Sequence, residues 1–385
     1  MAELQSFNFI IFEFFNFTYM EDKKIRVAIT QGDTNGIGYE LIFKTFAIPE
    51  MLELCTPIIY GSPKIAAYHR KALDIEANFS IISHAEDVRD GRINLLTCFD
   101  EDVKVELGTP TKESAEAGVK ALQRALNDAQ EEAFDTLVVA PLDKNEQTRF
   151  PGQKYFIANA LKAQDNCLCL IMSEKMRIAL ATDDLSIKDV ANAITHDNLV
   201  KKITTLHQTL KRDFRISNPR IAVLALNPNA DGAEEKEIIA PAIKQLADNG
   251  IQAFGPFPAD DFFGTEKYNA FDAVLAMYHD QGVTPLKTLS TGGDFGFYAG
   301  LPIVCTESGD TAQFNIAGKN VVDENAFRQA IYTAIDACRN RINYDEPFAQ
   351  PLPKLYHEKR DESEKVRFAI PKKHGTENAE QKGNE

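Results

Sequence analysis

The sequence predicts an α/β protein whose sheet is largely parallel. Short continuous apolar runs alternate with segments of helical periodicity, as strands covered on both faces by helices do. Polar clusters follow several of these runs, where open α/β sheets bind their ligands. The 385 residues are 44% apolar and 26% charged, a globular mix with enough chain for a two-lobed core.

The elements follow in order. Lys24 to Thr30 reads as a strand, then comes the glycine loop Gln31 to Gly38, then a helix from Tyr39. Thr56 to Tyr60 is a second strand. Glu113 to Ala133 places Val119, Leu122 and Leu126 at helical spacing. Phe134–Ala140, Arg177–Thr182, Arg220–Leu226, Ala273–Tyr278 and Pro302–Cys305 are further strands. Ile187–Ile194 and Leu199–Leu210 are helices between them. The polar segment from Pro371 is expected to be disordered, and charged Lys354–Val366 to form an exposed helix.

The net charge of −15 argues against a nucleic-acid or anionic-membrane binder, which needs a basic face, but says nothing of local patches, so a small anionic substrate stays open. Six cysteines without a C-x-x-C are too sparse for a disulfide framework and read as reduced core thiols of a cytoplasmic protein. Cys167 and Cys169 are two apart and would share a strand face. Residues 1–19 hold six phenylalanines, with Glu3 and Glu13 but no Lys or Arg. A secretory signal needs a positive start, so Met20 is the expected start and 1–19 a non-native extension; the competing reading is a membrane or partner anchor.

Five polar clusters stand after strands: Gly32 to Gly38, Asp143-Lys144, Thr182-Asp183-Asp184, Asn227 to Asp231, and His279 to Gly282. Strand ends carry polar turn residues in any case, but five clusters with a histidine and several carboxylates favour a site. The glycine loop is G-x-x-x-G-x-G, not the dinucleotide fingerprint. Its glycines suit a tight turn or an anion at the helix start. His279 suits a metal ligand or a hydrogen-bonded loop residue. Lys287 suits an anion contact or a solvated surface.

Together these residues resemble the 4-hydroxythreonine-4-phosphate dehydrogenase family of vitamin B6 biosynthesis. The matches are Thr30 to Gly38, Ala140-Pro-x-x-Lys144, Leu226-Asn-Pro228, the eleven residues Asp272 to Gly282, Lys287, and Ala299-Gly-Leu-Pro302. The resemblance spans about Ile25 to Ile335. It implies a two-domain α/β/α fold like isocitrate and isopropylmalate dehydrogenases, usually a homodimer, with the site in an interdomain cleft at the subunit interface. The implied first domain is 20–145 with 306–350, the second 146–305, and 351–385 a tail. The implied chemistry is NAD-dependent oxidation of a phosphorylated hydroxy amino acid, with decarboxylation, assisted by a divalent metal. By matching, Lys287 and Asp280 are the implied catalytic residues, and Lys144, Gln153, Lys154 and Lys287 bind substrate. The implied metal ligands are His279, Asp184 and Asn229; the cofactor's contacts stay unassigned.

The sequence departs from the family pattern at the site. Two of three ligand histidines are replaced, at Asp184 and Asn229. The Gly-His-Thr-Glu motif reads Gly152-Gln-Lys-Tyr155. An asparagine is replaced at Gly296 and an arginine at Cys305, and His-Gly-Thr-Ala reads Gly309-Asp-Thr-Ala312. The loop after Asn229 is also shorter than the family's. An oxygen-rich ligand set favours Mg or Mn over Zn, with Co also open. The alternative is a catalytically inactive paralogue that binds a ligand or a regulatory partner. Metal-free phosphoryl or acyl transfer finds no nucleophile–base pair here; Cys305 is its only new nucleophile candidate.

Overall fold

The computed structural model describes residues 24–99 and 102–349. The extension at 1–19, the charged segment 354–366 and the tail from Pro371 lie outside the described residues.

Twelve strands form one continuous sheet. In chain order they are β1 Ile25–Thr30, β2 Cys55–Gly61, β3 Phe79–Ile82, β4 Ile93–Thr97, β5 Thr136–Val139 and β6 Leu168–Met172. They continue as β7 Arg177–Leu180, β8 Ile221–Leu224, β9 Ala253–Phe257, β10 Ala273–Ala276, β11 Phe295–Ala299 and β12 Val304–Ser308. The spatial order is β3-β4-β2-β1-β5-β12-β11-β6-β7-β10-β8-β9. Both flanks are parallel: β3-β4-β2-β1-β5-β12 on one side and β7-β10-β8-β9 on the other.

The centre departs from the expected parallel pairing. β12–β11, β11–β6 and β6–β7 are antiparallel. For β6–β7 and β11–β12 the reason is connection length. Only Ser173–Met176 joins β6 to β7, closed by Ser173 N–H to the Met176 carbonyl at 3.0 Å. Only Gly300–Ile303 joins β11 to β12. Links that short turn the chain back, whereas parallel neighbours need a crossover of a dozen residues or more.

The helices cover the faces as the spacing requires. The helix Lys112–Gln130 buries Ala115, Gly118, Leu122, Ala125 and Leu126. Its start is a capping box: Thr111 Oγ1 accepts from Ser114 N at 3.1 Å and the Ser114 hydroxyl reciprocates. The helix His196–Arg212 buries Leu199, Ile203, Leu206 and Leu210, with Thr195 as its cap. Pro302 lies just before β12, which begins later than the sequence suggests. Cys167 and Cys169 pack into one cluster with Tyr298 and Cys305. All six cysteines are free.

Candidate active site

The glycine loop after β1 is a packing device. Gly32 sits at φ +72°, and a Cβ there would lie 2.4 Å from the Pro141 carbonyl oxygen. At Gly38 a Cβ would lie 2.0 Å from the Gln31 carbonyl oxygen. Several of the loop's amides are already engaged: Asp33 N–H on Pro141 O at 2.9 Å, Asn35 N–H on Asp33 Oδ1 at 2.9 Å, and Ile37 N–H on Ala312 O at 3.2 Å. Of the two roles open to this loop, the structure favours the tight turn over the anion cradle.

The other clusters are fixed at the carboxyl ends of their strands. Gln281 joins two of them, accepting from Met277 N–H at 2.7 Å and donating to the Ala225 carbonyl at 2.6 Å. Gly282 lets the helix His279–Leu289 sit on the sheet, since a Cβ would meet Ile178 Cγ2 at 2.5 Å. Glu235 accepts the Leu226 and Asn227 amides, both at 2.8 Å. Asp143 Oδ1 accepts from Ala312 N–H at 3.1 Å, tying the segment after β5 to the turn after β12.

A cavity of about 220 Å³ opens where these ends meet. Gln153, His279 and Lys287 line it, as do Asp294, Glu307 and Asp310. Gln153 donates to the Ala140 carbonyl at 2.8 Å, so the start of the helix Gln153–Ala160 is anchored on the end of β5. His279 Nδ1 is 2.8 Å from Asp280 Oδ1, both side chains being exposed. Lys287 Nζ is 3.2 Å from Asp294 Oδ1.

Glu307, like Asp294, is a cavity residue that motif reading did not find. It faces Gly296 across the β11–β12 ladder. A Cβ at 296 would lie 2.5 Å from both Cγ and Oε1 of Glu307. The carboxyl thus fills the room left by the missing side chain at 296. Tyr298 Oη donates to it, and Cys169 Sγ stands 3.9 Å from Oε1. Burial raises its pKa to about 7, with Asp294 adding to the rise and Tyr298, Lys154 and Cys169 opposing it. The available signal was a lone glutamate inside a buried strand. Burial also holds Asp310 above the usual carboxylate range. Cys305 is fully buried and its thiol is pushed well up, so it packs rather than attacks.

Asp184 and Asn229 are not among the residues lining this cavity. Asp184 accepts from Lys144 Nζ at 2.8 Å, on the surface. Its neighbour Asp183 is held by Lys154 in a largely buried ion pair. Asn229 is exposed in the turn after β8. Among the described residues no group of three His, Cys, Asp or Glu side chains is placed to hold a metal ion. One imidazole, one amide and a carboxylate already neutralised by a lysine do not fit a divalent ion within this single chain.

A family model described as "Pyridoxal phosphate biosynthetic protein PdxA" matches residues 53–334. A 4-hydroxythreonine-4-phosphate dehydrogenase of Bacteroides thetaiotaomicron is 46% identical over 358 residues, covering 91% of this chain and 98% of the relative. One from a Sulfurihydrogenibium strain is 34% identical over 321 residues, covering 81% and 98%. The structure of the Klebsiella pneumoniae 4-hydroxythreonine-4-phosphate dehydrogenase superposes with a TM-score of 0.71 at 25% identity, over 83% of this chain and 99% of that one. The Burkholderia phymatum enzyme gives 0.68 at 27% identity, over 82% and 99%. With sequence and fold agreeing over nearly the whole length of these relatives, the chain belongs to the PdxA family of pyridoxal phosphate biosynthetic proteins.

Proposed function

We propose that the protein is an NAD-dependent dehydrogenase of a small phosphorylated hydroxy amino acid, 4-phosphohydroxy-threonine, in vitamin B6 biosynthesis. Membership implies NAD(P) and a divalent metal in general. The observation that carries the reading is the convergence of Gln153, His279 and Lys287 on one cavity beyond the strand ends. Oxidising a secondary alcohol moves a hydride from carbon to the nicotinamide and the hydroxyl proton to a base. His279 is that base. Asp280, 2.8 Å from Nδ1, favours the tautomer that leaves Nε2 free to accept the proton. Lys287 meets the substrate's carboxylate and offsets the acids around it. Loss of carbon dioxide from the β-keto acid needs no further group from the protein.

A metal held by His279, Asp184 and Asn229 would first require Lys144 to release Asp184. The same protein is proposed to be a cytoplasmic homodimer with the cleft between 20–145 with 306–350 and 146–305. Calorimetric titration with NAD and with 4-phosphohydroxy-threonine tests this reading. Both should bind, and His279→Ala should spare binding while abolishing NADH formation. The Lys144–Asp184 pair and the Gly296–Glu307 exchange favour one second reading, a ligand-binding paralogue without the oxidation. Binding of substrate without NADH formation by the unaltered protein would select it.

A further inference from the structure

The cavity that holds His279 and Lys287 carries more acid than the oxidation uses. Among the described residues lining it, Asp143, Asp294, Glu307 and Asp310 stand against the one ammonium of Lys287. A cavity of about 420 Å³ between the helices Gln153–Ala160 and His196–Arg212 has the opposite balance, with Lys154, Lys201 and Lys202 against Asp165 and Asp183. Two of the four acids are tied to the frame. Asp143 accepts the Ala312 amide at 3.1 Å, and Asp310 is held by Gln313 at 2.7 Å and Ser308 at 3.0 Å. Asp294 and Glu307 remain to be explained.

Lys287 lies in the last turn of the helix His279–Leu289, and Asp294 directly precedes β11. Their Nζ and Oδ1 are 3.2 Å apart. The segment between them is fastened where Glu174 accepts the Thr291 amide at 3.1 Å. The Lys287 side chain is exposed and that of Asp294 is 14% exposed, so neither is sealed. An ammonium has three donors and a carboxylate two oxygens, so one contact leaves each with capacity. Burial raises the pKa of both Glu307 and Asp310, and the Asp294 charge adds to the rise in each. The three carboxyls thus repel one another, and a cation among them relieves that repulsion. Among the described residues no three such groups are placed to hold a metal ion, so an organic cation is the guest that fits.

We propose that Lys287 and Asp294, with Glu307 beside them, form a clamp for a zwitterion that selects the α-amino acid head of the substrate over the corresponding hydroxy acid. An α-amino acid carries its ammonium one carbon away from its carboxylate. Seated with the carboxylate on Lys287, it brings the ammonium to Asp294, and each of the four charges meets an opposite one. Glu307 adds negative charge on the ammonium's side. A hydroxyl in place of the ammonium has one hydrogen to donate and no charge, so it leaves the acids uncompensated. The inference rests on the substrate reading above and deepens it, by giving Asp294 and Glu307 the choice between two substrates that share every other group.

The test is titration calorimetry of the full chain with 4-phosphohydroxy-threonine and with its counterpart bearing a hydroxyl in place of the ammonium. The amino acid should bind at least about tenfold more tightly, the worth of one charged hydrogen bond. Asp294→Asn keeps the shape and removes the charge. It should bring the two affinities to within about threefold by weakening the amino acid alone, and its retained binding of the hydroxy acid shows that it is folded. Glu307→Gln should narrow the gap in the same direction. Equal binding by the unaltered chain, tighter binding of the hydroxy acid, or a preference unchanged in both variants would overturn the clamp and leave the oxidation standing. Binding of neither compound would overturn the substrate reading and the clamp with it.

Discussion

Glu307 shows how a single exchange reshapes a site. Its side chain occupies the volume beside Gly296, and its carboxyl is half-buried against Tyr298 and Cys169. The native state holds this proton to about pH 7, whereas an unfolded glutamate loses it near 4.5. The folded chain therefore binds more protons between those values, and stability falls as pH rises through that window. Glu307→Gln should raise the melting temperature at pH 8, by roughly 1–3 kcal/mol of stability, and change little at pH 4. Thermal unfolding at the two pH values reads this directly; equal shifts at both would count against a retained proton. A cycle with Gly296→Asn addresses the volume. The single change should destabilise by about 1–3 kcal/mol, and adding Glu307→Ser should recover most of it.

At the scale of elements, the family motifs mostly build the frame around the site. Gln281 ties the end of β10 to the end of β8 through two buried backbone groups. Gln281→Ala orphans both, and urea unfolding should show a loss of about 2–4 kcal/mol. Gly282 and Gly38 serve close approach rather than ligand contact. The strands β1, β2, β5, β7, β8 and β10 were legible because each is a short apolar run between polar turns. β9 and β11 were not, since Ala253–Phe257 contains Gly-Pro and Phe295–Ala299 contains Gly296, which read as turn signals. The antiparallel centre was hidden for another reason: apolar content does not state direction, and only the short links Ser173–Met176 and Gly300–Ile303 do. At the site, His279, Lys287 and Gln153 were legible by resemblance and share a cavity. The pairing of Lys144 with Asp184 and of Lys154 with Asp183 was not, because their partners lie 40 and 29 residues away in sequence.

Over the whole molecule, the charge of −15 gives way locally to two cavities of opposite sign. The proposed homodimer predicts twice the 42.9 kDa chain mass in light scattering, and a single-chain mass at micromolar concentration would contradict that assembly. No helix among the described residues is long and apolar enough to cross a membrane. The central claim is that this divergent cavity still oxidises the family's substrate. NADH formation from 4-phosphohydroxy-threonine, followed at 340 nm (about the reduced nicotinamide's absorption) with Mg, Mn, Co or Zn supplied in turn, tests it most directly. The account predicts NADH formation that His279→Ala abolishes; folded protein that forms none with any metal would contradict it and leave the ligand-binding paralogue.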